Sequence, residues 1–300
     1  MAQNAETRRV VEAIRAGASD FIAAARLLPD LEKALGTDAL PAESVWQGDR
    51  CGLSAGAPRL EDLAEDSRPL LILGEPDAGK ARLARAVHAR SARRSLPFVR
   101  IDCASVNAGV GLRDIAGYER GAFVGALQSH KGLLVGAGGG TVLFEAVHSL
   151  PFDVQRLVSE ALATGGVTPL GGGRMPFEAR VIATSHLSLD AMKSSGMRPD
   201  LLSRLAGNVA EVRPLRSRRD DLVPITRALL VESIGPRHVS LLDSDLCSAI
   251  RAYSWPGNFR EMLQVVRALS ETRNSRYVAD LLRRRTATRP RISAMAERVF

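Results

Sequence analysis

Three rhythms of apolar and polar residues follow one another along this chain. From about Arg68 to Arg213, short apolar runs such as Leu70-Leu71-Ile72-Leu73, Val142-Leu143-Phe144 and Val181-Ile182-Ala183 alternate with stretches of helical spacing. Runs of this kind suit strands buried on both faces, and the helical stretches suit crossovers between parallel neighbours. Residues 68–213 are therefore predicted to form an α/β parallel-sheet domain. From Pro214 onward the helical rhythm takes over, giving a helical subdomain over 214–282 and a basic tail over 283–300 that holds Arg283-Arg284-Arg285 and Arg289-Pro290-Arg291. Ahead of the sheet, Thr7 to Leu40 reads as helix, short strand, helix. Val10, Val11 and Ile14 make its apolar stripe, Gly17 stops the helix, and Asp20-Phe21-Ile22 is the extended piece. Residues 41–67, richer in Pro, Gly and acidic residues, read as a linker.

The 300 residues are 45% hydrophobic but only 4% aromatic, so the core must rest on Leu, Val, Ile and Ala. The net charge of +8 is carried almost wholly by Arg, since Lys occurs only at Lys33, Lys80, Lys131 and Lys193. A basic balance permits contact with nucleic acid without requiring it. Cys51, Cys103 and Cys247 show no metal-ligand spacing and fit a reducing compartment. The first residues, MAQNAETRRV, lack an apolar signal region, and no apolar run has the length of a membrane span. A cytoplasmic protein without membrane partners is expected.

The sharpest chemistry follows the first apolar run. Gly74-Glu75-Pro76-Asp77-Ala78-Gly79-Lys80 has the form G-x-x-x-x-G-K, and an amphipathic helix follows through Leu83, Ala86 and Val87. Such a loop turns backbone N–H groups inward around phosphate oxygens, with a lysine charge and a helix N-terminus adding to the attraction. A plain glycine turn between strand and helix is the bland alternative. The hydroxyl residue that normally follows the lysine and holds magnesium is here Ala81.

A second strand, Gly139-Gly140-Thr141-Val142-Leu143-Phe144-Glu145-Ala146, ends in one carboxylate. Phosphate-loop ATPases use an acid here to hold Mg²⁺ through water and commonly a second to activate the attacking water. Glu145 can serve the first role imperfectly, as a weak Mg²⁺ site. Ala146 cannot serve the second. A buried strand whose terminal Glu merely meets solvent stands as an equal reading of this segment alone.

Taken in order, the motifs resemble the AAA+ domain of sigma-54-dependent transcriptional activators, from about Pro69 to Met262. Gly74 to Ala81 resembles GESGTGKE. Family members commonly carry Glu, and not a hydroxyl residue, after the lysine, so on this resemblance Ala81 departs less than the general rule implies. Pro97 to Ala104 resembles PFVxxNCA. Gly117-Tyr118-Glu119-Arg120-Gly121-Ala122-Phe123-Val124-Gly125-Ala126 resembles GHEKGAFTGA. The resemblance implies that Gly121, Ala122, Phe123, Val124, Gly125 and Ala126 touch the sigma factor, with Phe123 at the contact position and Val124 lacking a threonine hydroxyl. Gly139 to Ala146 resembles GGTLFLDE, so Glu145 stands for Asp and Ala146 for Glu. Val181 to His186 resembles the sensor strand VIAATN, with His186 for Asn.

Met197 to Leu205 resembles FREDLxxRL, which implies arginine-finger roles for Arg198 and Arg204 towards a neighbouring subunit's nucleotide. Pro214 to Leu222 resembles PLRERxEDI. Tyr253 to Glu261 resembles YxWPGNVRE, which implies a C-terminal helical lid in which Arg260 senses nucleotide while Trp255 and Pro256 pack. On this resemblance the nucleotide is ATP, held by Gly74, Glu75, Pro76, Asp77, Ala78, Gly79, Lys80, Ala81 and Arg260. The catalytic set would be Glu145, Arg198 and Arg204. The partners would be sigma-54 RNA polymerase and a homo- or hetero-oligomer of AAA+ activators.

Val11 to Ile22 resembles the closing part of a receiver domain, so residues 1–40 are read as a truncated remnant of one, most similar to flagellar regulators of the class. No helix-turn-helix pattern follows Glu261, only a continuing lid helix and a basic tail, so no sequence-specific DNA binding is expected. Three functions remain open. The first is an ATP-binding regulator, weak or defective in hydrolysis, acting through sigma-54 polymerase or a homologous activator, with flagellar genes as one target. The second is an active ATPase that remodels the sigma-54 holoenzyme. The third is a binding module whose nucleotide site has decayed.

Overall fold

The computed structural model describes residues 52–54 and 58–288, all within a unit that runs from Ala42 to Phe300. The reading of residues 1–40 lies outside the described residues. Along the chain come α1 (Leu60–Glu65), β1 (Leu70–Leu73), α2 (Lys80–Arg90), β2 (Phe98–Asp102), α3 (Val110–Ala116), β3 (Gly117–Tyr118), β4 (His130–Lys131), α4 (Leu133–Gly136) and β5 (Thr141–Glu145). Next are α5 (Phe152–Thr164), β6 (Gly166–Val167), β7 (Met175–Pro176), β8 (Arg180–Ser185), α6 (Leu189–Ser194), α7 (Pro199–Leu205) and β9 (Val209–Glu211). Four helices follow: α8 (Arg219–Ile234), α9 (Ser244–Ala252), α10 (Asn258–Thr272) and α11 (Ser275–Thr288).

The apolar runs become the strands that their composition predicts. β2, β5, β8, β1 and β9 pair in that order, every pair parallel. Leu70, Leu71, Ile72, Val142, Leu143, Phe144, Val181, Ile182 and Ala183 are all essentially inaccessible, as strands covered on both faces require. β8 lies between β1 and β5. The strand that leads into the glycine loop and the strand that carries Glu145 therefore flank a common neighbour, and their C-terminal ends open on the same edge of the sheet. Ligands bind at that edge in open parallel sheets.

Within the segment read as a linker, residues 52–54 and 58–67 are part of the fold. Leu53 makes an antiparallel bridge with Val212, and Arg213 N–H donates to the Gly52 carbonyl at 2.8 Å, covering the free edge of β9. α1 packs on α2, burying Leu60, Leu63 and Ala64. Each fully buried leucine contributes roughly 2 kcal/mol. Arg180, only 3% exposed, donates from β8 to the carbonyls of Leu63 at 2.7 Å, Arg68 at 3.3 Å and Ala64 at 3.5 Å. Its guanidinium satisfies the carbonyls that a helix C-terminus leaves open. That burial pulls the Arg180 pKa down to about 10.

The lid core is built from Leu222, Ile225, Leu229, Ile250, Trp255, Phe259, Met262 and Leu269. Trp255 is wholly buried, its indole N–H donating to the Ile250 carbonyl at 2.9 Å, whereas Pro256 is exposed. Two boundaries differ from expectation. The lid helix does not continue unbroken, because Arg273 takes a left-handed conformation (φ 53°) that ends α10 before α11 begins. The basic tail also starts later than residue 283, since Arg283, Arg284 and Arg285 lie within α11. Arg283 pairs with Asp245 of α9 and Arg285 with Glu261 of α10 at 3.2 Å, so charge that reads as solvated faces lid carboxylates.

Candidate functional site: a phosphate loop gripped by the lid

The loop between β1 and α2 has the backbone that phosphate binding needs. Gly74 sits at φ 148°, and a Cβ there would lie 2.6 Å from the Val212 carbonyl oxygen, so only glycine fits. Asp77 (φ 56°) and Gly79 (φ 105°) are also left-handed, which wraps the chain into a cup before α2 starts at Lys80. The Lys80 ammonium is turned inward and donates to the carbonyls of Gly74 at 2.8 Å and Glu75 at 2.7 Å. Burial lowers its pKa to about 8, against the opposing pull of Asp77, Glu145 and Glu75. It is a charged donor at neutral pH, bonded to carbonyls that a phosphate would replace. The left-handed loop backbone and the Lys80 ammonium are groups suited to phosphate oxygens.

The lid holds the loop from outside. The Arg216 guanidinium forks onto both carboxylate oxygens of Glu75, and this bonding keeps the Glu75 pKa below its ordinary value. The buried Asn258 accepts from Leu215 N–H at 3.0 Å and donates to Glu75 Oε2 at 3.2 Å and to the Pro76 carbonyl at 3.0 Å. Phe259 N–H donates to the Asp77 carbonyl at 3.0 Å, and Arg218 donates to the Ala78 carbonyl at 3.0 Å. Arg260 Nε lies 3.2 Å from the Asp77 carboxylate. Of the predicted nucleotide contacts, the side chains of Glu75, Asp77 and Arg260 thus face each other or the lid, and Ala78 is buried. The backbone and Lys80 are what remain for phosphate.

The end of β5 is different. The Glu145 carboxylate is engaged by Arg100 from β2, Nη2 to Oε2 at 2.8 Å. Ala146 is left-handed (φ 52°), and its N–H donates to the Thr184 hydroxyl at 3.3 Å. Just beyond, His148 Nδ1 lies 3.0 Å from the Ser185 hydroxyl, and its ring meets His186 edge to face at 4.4 Å between centroids. Burial, then His186 and then Lys80, lower the His148 pKa, so the imidazole stays neutral. Of the groups read as a weak magnesium site, Glu145 is paired with Arg100, and position 81 carries a methyl. Asp102 lies opposite Glu145 in the strand register, but its Oδ1 caps Ala104 N–H at 3.1 Å.

The remaining predicted residues lie apart from the loop. Arg198 pairs with Asp200 through Nε at 3.0 Å and Nη2 at 3.1 Å, which holds the Asp200 carboxyl far below the usual range. Arg204 is exposed in the last turn of α7. In the glycine-rich loop Phe123 is half-buried. The Arg113 guanidinium covers its ring at 3.9 Å, and Tyr118 packs edge-on at 4.9 Å. Ala126 is buried, so Val124 and the neighbouring Leu127 are the apolar side chains presented to solvent.

Sequence reading missed the roles of Arg100, Arg216, Arg218, Asn258 and His148. For Arg100 a signal existed. Residues 98, 100 and 102 share one face of a strand by period-two alternation, and Asp102 is next to Glu145 once β2 and β5 are paired. Arg216, Arg218 and Asn258 depend on how the lid folds back, and His148 on β8 lying beside β5, neither of which strand periodicity encodes.

A five-stranded parallel sheet with a glycine loop after one strand, an acid at the end of another and a helical lid against the loop defines a P-loop AAA+ domain. Residues 51–211, more than half of the chain, match the family described as the Sigma-54 interaction domain, and the chain belongs to that family. It is similar to the hydrogenase transcriptional regulatory protein HoxA of Cupriavidus necator, 32% identical over 286 residues that cover 93% of this chain and 57% of HoxA. It is also similar to the C4-dicarboxylate transport transcriptional regulatory protein DctD of Pseudomonas aeruginosa, at 34% identity over 84% of this chain and 60% of DctD. The chain thus spans little more than half the length of these relatives. Among solved structures, NtrX from Brucella abortus in complex with ATP superposes with a TM-score of 0.64 at 26% identity, covering 80% of this chain and 54% of NtrX. Among the described residues no helix is long and apolar enough to cross a membrane.

Proposed function

We propose that this chain is an ATP-binding regulator of the sigma-54 activator type, deficient in hydrolysis, that acts on sigma-54 RNA polymerase directly or through an oligomer with a homologous activator. One contrast carries the reading: the phosphate cup is complete around Lys80, whereas the strand end that should activate water offers Ala146 and a Glu145 already paired with Arg100. Loss of a positioned general base costs about 10²–10⁴-fold in rate. The relatives' names support a role in transcription, and the exposed Val124 and Leu127 give the glycine-rich loop an apolar tip suited to a protein partner. Arg204, exposed in the last turn of α7, remains the residue to reach a neighbouring subunit's nucleotide. Flagellar genes are one class of target.

The test pairs steady-state ATP turnover with nucleotide binding on one preparation, using Lys80→Ala as the control. Saturable binding that Lys80→Ala weakens by about 10- to 100-fold, with turnover no higher in the parent than in the variant, is the expected result. Parent turnover far above that of Lys80→Ala would establish an active ATPase instead. His148 gives that second reading a physical basis, being a neutral imidazole close enough to Lys80 to feel its charge. His148→Ala should then slow turnover sharply.

A further inference from the structure

We infer that His148 is the residue by which this site tells a nucleoside triphosphate from a diphosphate, its imidazole donating from Nε2 to the terminal phosphate. The inference rests on the loop being a nucleotide site and adds the group that reads the far end of the phosphate chain. Strand register places His148 there. Ser185, the last residue of β8, stands beside Leu73 of β1, and Leu73 runs directly into Gly74 of the loop. His148 follows β5, on the opposite flank of β8, and holds Ser185 through Nδ1 to Oγ at 3.0 Å. The Lys80 ammonium bonds the Gly74 carbonyl at 2.8 Å, and its charge acts on His148 and Glu145 alike. The loop and the turn after β5 thus border one cleft. In a loop of this form the backbone cradles the inner phosphates and the lysine reaches the outer ones. A donor on the β5 side of that lysine meets the outermost phosphate, which a diphosphate lacks.

The surroundings of the ring make Nε2 the donor. Burial, then His186 and Lys80, keep the imidazole neutral, so it carries a single N–H. The Ser185 hydroxyl accepts from Leu187 N–H at 3.0 Å, which leaves its own hydrogen to donate to His148 Nδ1. The imidazole hydrogen then sits on Nε2, since the bond made by one ring nitrogen sets the state of the other. Among the described residues no hydrogen bond engages Nε2. His186 meets the ring edge to face at 4.4 Å between centroids, and with Ser185 it fixes the ring's direction. A donor held in place before its ligand arrives gives up little entropy on binding.

Isothermal titration into the full chain compares ADP with the β,γ-imido analogue of ATP, whose terminal bond resists cleavage, so turnover does not enter the readout. His148→Ala should weaken binding of the analogue by about tenfold or more and leave ADP within about twofold. His148→Gln, which returns an N–H near the place of Nε2, should recover part of the loss for the analogue alone. Ser185→Ala should act only through His148, with a partial loss in the parent and none added in the His148→Ala background. Circular dichroism checks the fold of each variant. Should His148→Ala unfold, His148→Phe keeps a ring against His186 without a donor and must show the same selective loss. If ADP and the analogue weaken together, or if neither changes in a folded variant, the inference is overturned while the nucleotide reading stands. Binding of neither nucleotide by the parent would remove the nucleotide reading itself, and the inference with it.

Discussion

The two ends of the phosphate site lie a single strand apart in the sheet, and they differ in kind. At the end of β1 backbone and side chains converge on one purpose. Glycine and left-handed backbone shape a cup, Lys80 points into it, and the lid secures its outer wall through Arg216, Arg218 and Asn258. At the end of β5 the strand's one acid is occupied by Arg100, and the next position is an alanine. The comparison separates two demands that phosphate-loop enzymes usually meet together. Gripping a triphosphate needs backbone geometry and cations. Cleaving it needs a positioned anion and an aligned water. A chain can keep the first after losing the second because different strands carry them.

Rebuilding the weaker end should have the largest effect. With Arg100→Gln, Glu145→Asp and Ala146→Glu combined, magnesium-dependent ATP turnover should rise by about 10²–10⁴-fold. A flat response would mean that the block lies elsewhere. Damage to the stronger end comes next. Lys80→Ala should weaken nucleotide binding by about 10- to 100-fold, the worth of a hydrogen bond from a charged donor. Thermal stability should hold, because the variant removes a partly desolvated cation. Fluorescent nucleotide titration and melting curves read the two effects separately.

The lid's share of the comparison is tested by Asn258→Ala. That change leaves Leu215 N–H and the Pro76 carbonyl without their partner and should cost about 2 kcal/mol in chemical denaturation. It should also loosen nucleotide binding, although Asn258 touches only the loop's outer wall.

The mildest expected effect is a pH dependence. Burial holds the free-state pKa of Lys80 at about 8, below its ordinary 10.5, while bound phosphate favours the charged form. Above pH 8 binding must therefore take up a proton, and affinity should fall by about tenfold per pH unit. Lys80→Arg should show no such slope. The unliganded protein moves the opposite way. Deprotonation relieves the buried charge, so this group's contribution to stability rises as pH climbs from about 8 towards 10.5.

Much of this could be read from residues alone, where local periodicity and tertiary structure agree. The strands through Leu70–Leu73, Thr141–Glu145 and Arg180–Ser185 formed as their apolar runs predict, because a fully buried parallel strand has little freedom to be anything else. The glycine loop followed for a local reason as well, since few residues other than glycine tolerate the backbone at positions 74 and 79. What escaped were contacts between distant segments. Arg100 is exposed and unremarkable until β2 lies beside β5, and Glu75 reads as a phosphate-loop residue until the chain returns with Arg216, 141 positions later. α1 was hidden for another reason: a helix of 6 residues is too short to show a period, and its apolar positions sit among Pro, Gly and acids.

The buried Arg180 finally bears on how the domain can be excised. A fragment cut at Arg68, where the strand pattern first becomes visible, would keep Arg180 but lose the carbonyls of Leu63 and Ala64 that it addresses. A guanidinium would be stranded beneath an empty seat, and Leu60 and Leu63 would be gone from the surface of α2. A portable version of this module must therefore begin upstream of Leu60. Grafts or expression fragments that start later should emerge insoluble, however complete their phosphate loop.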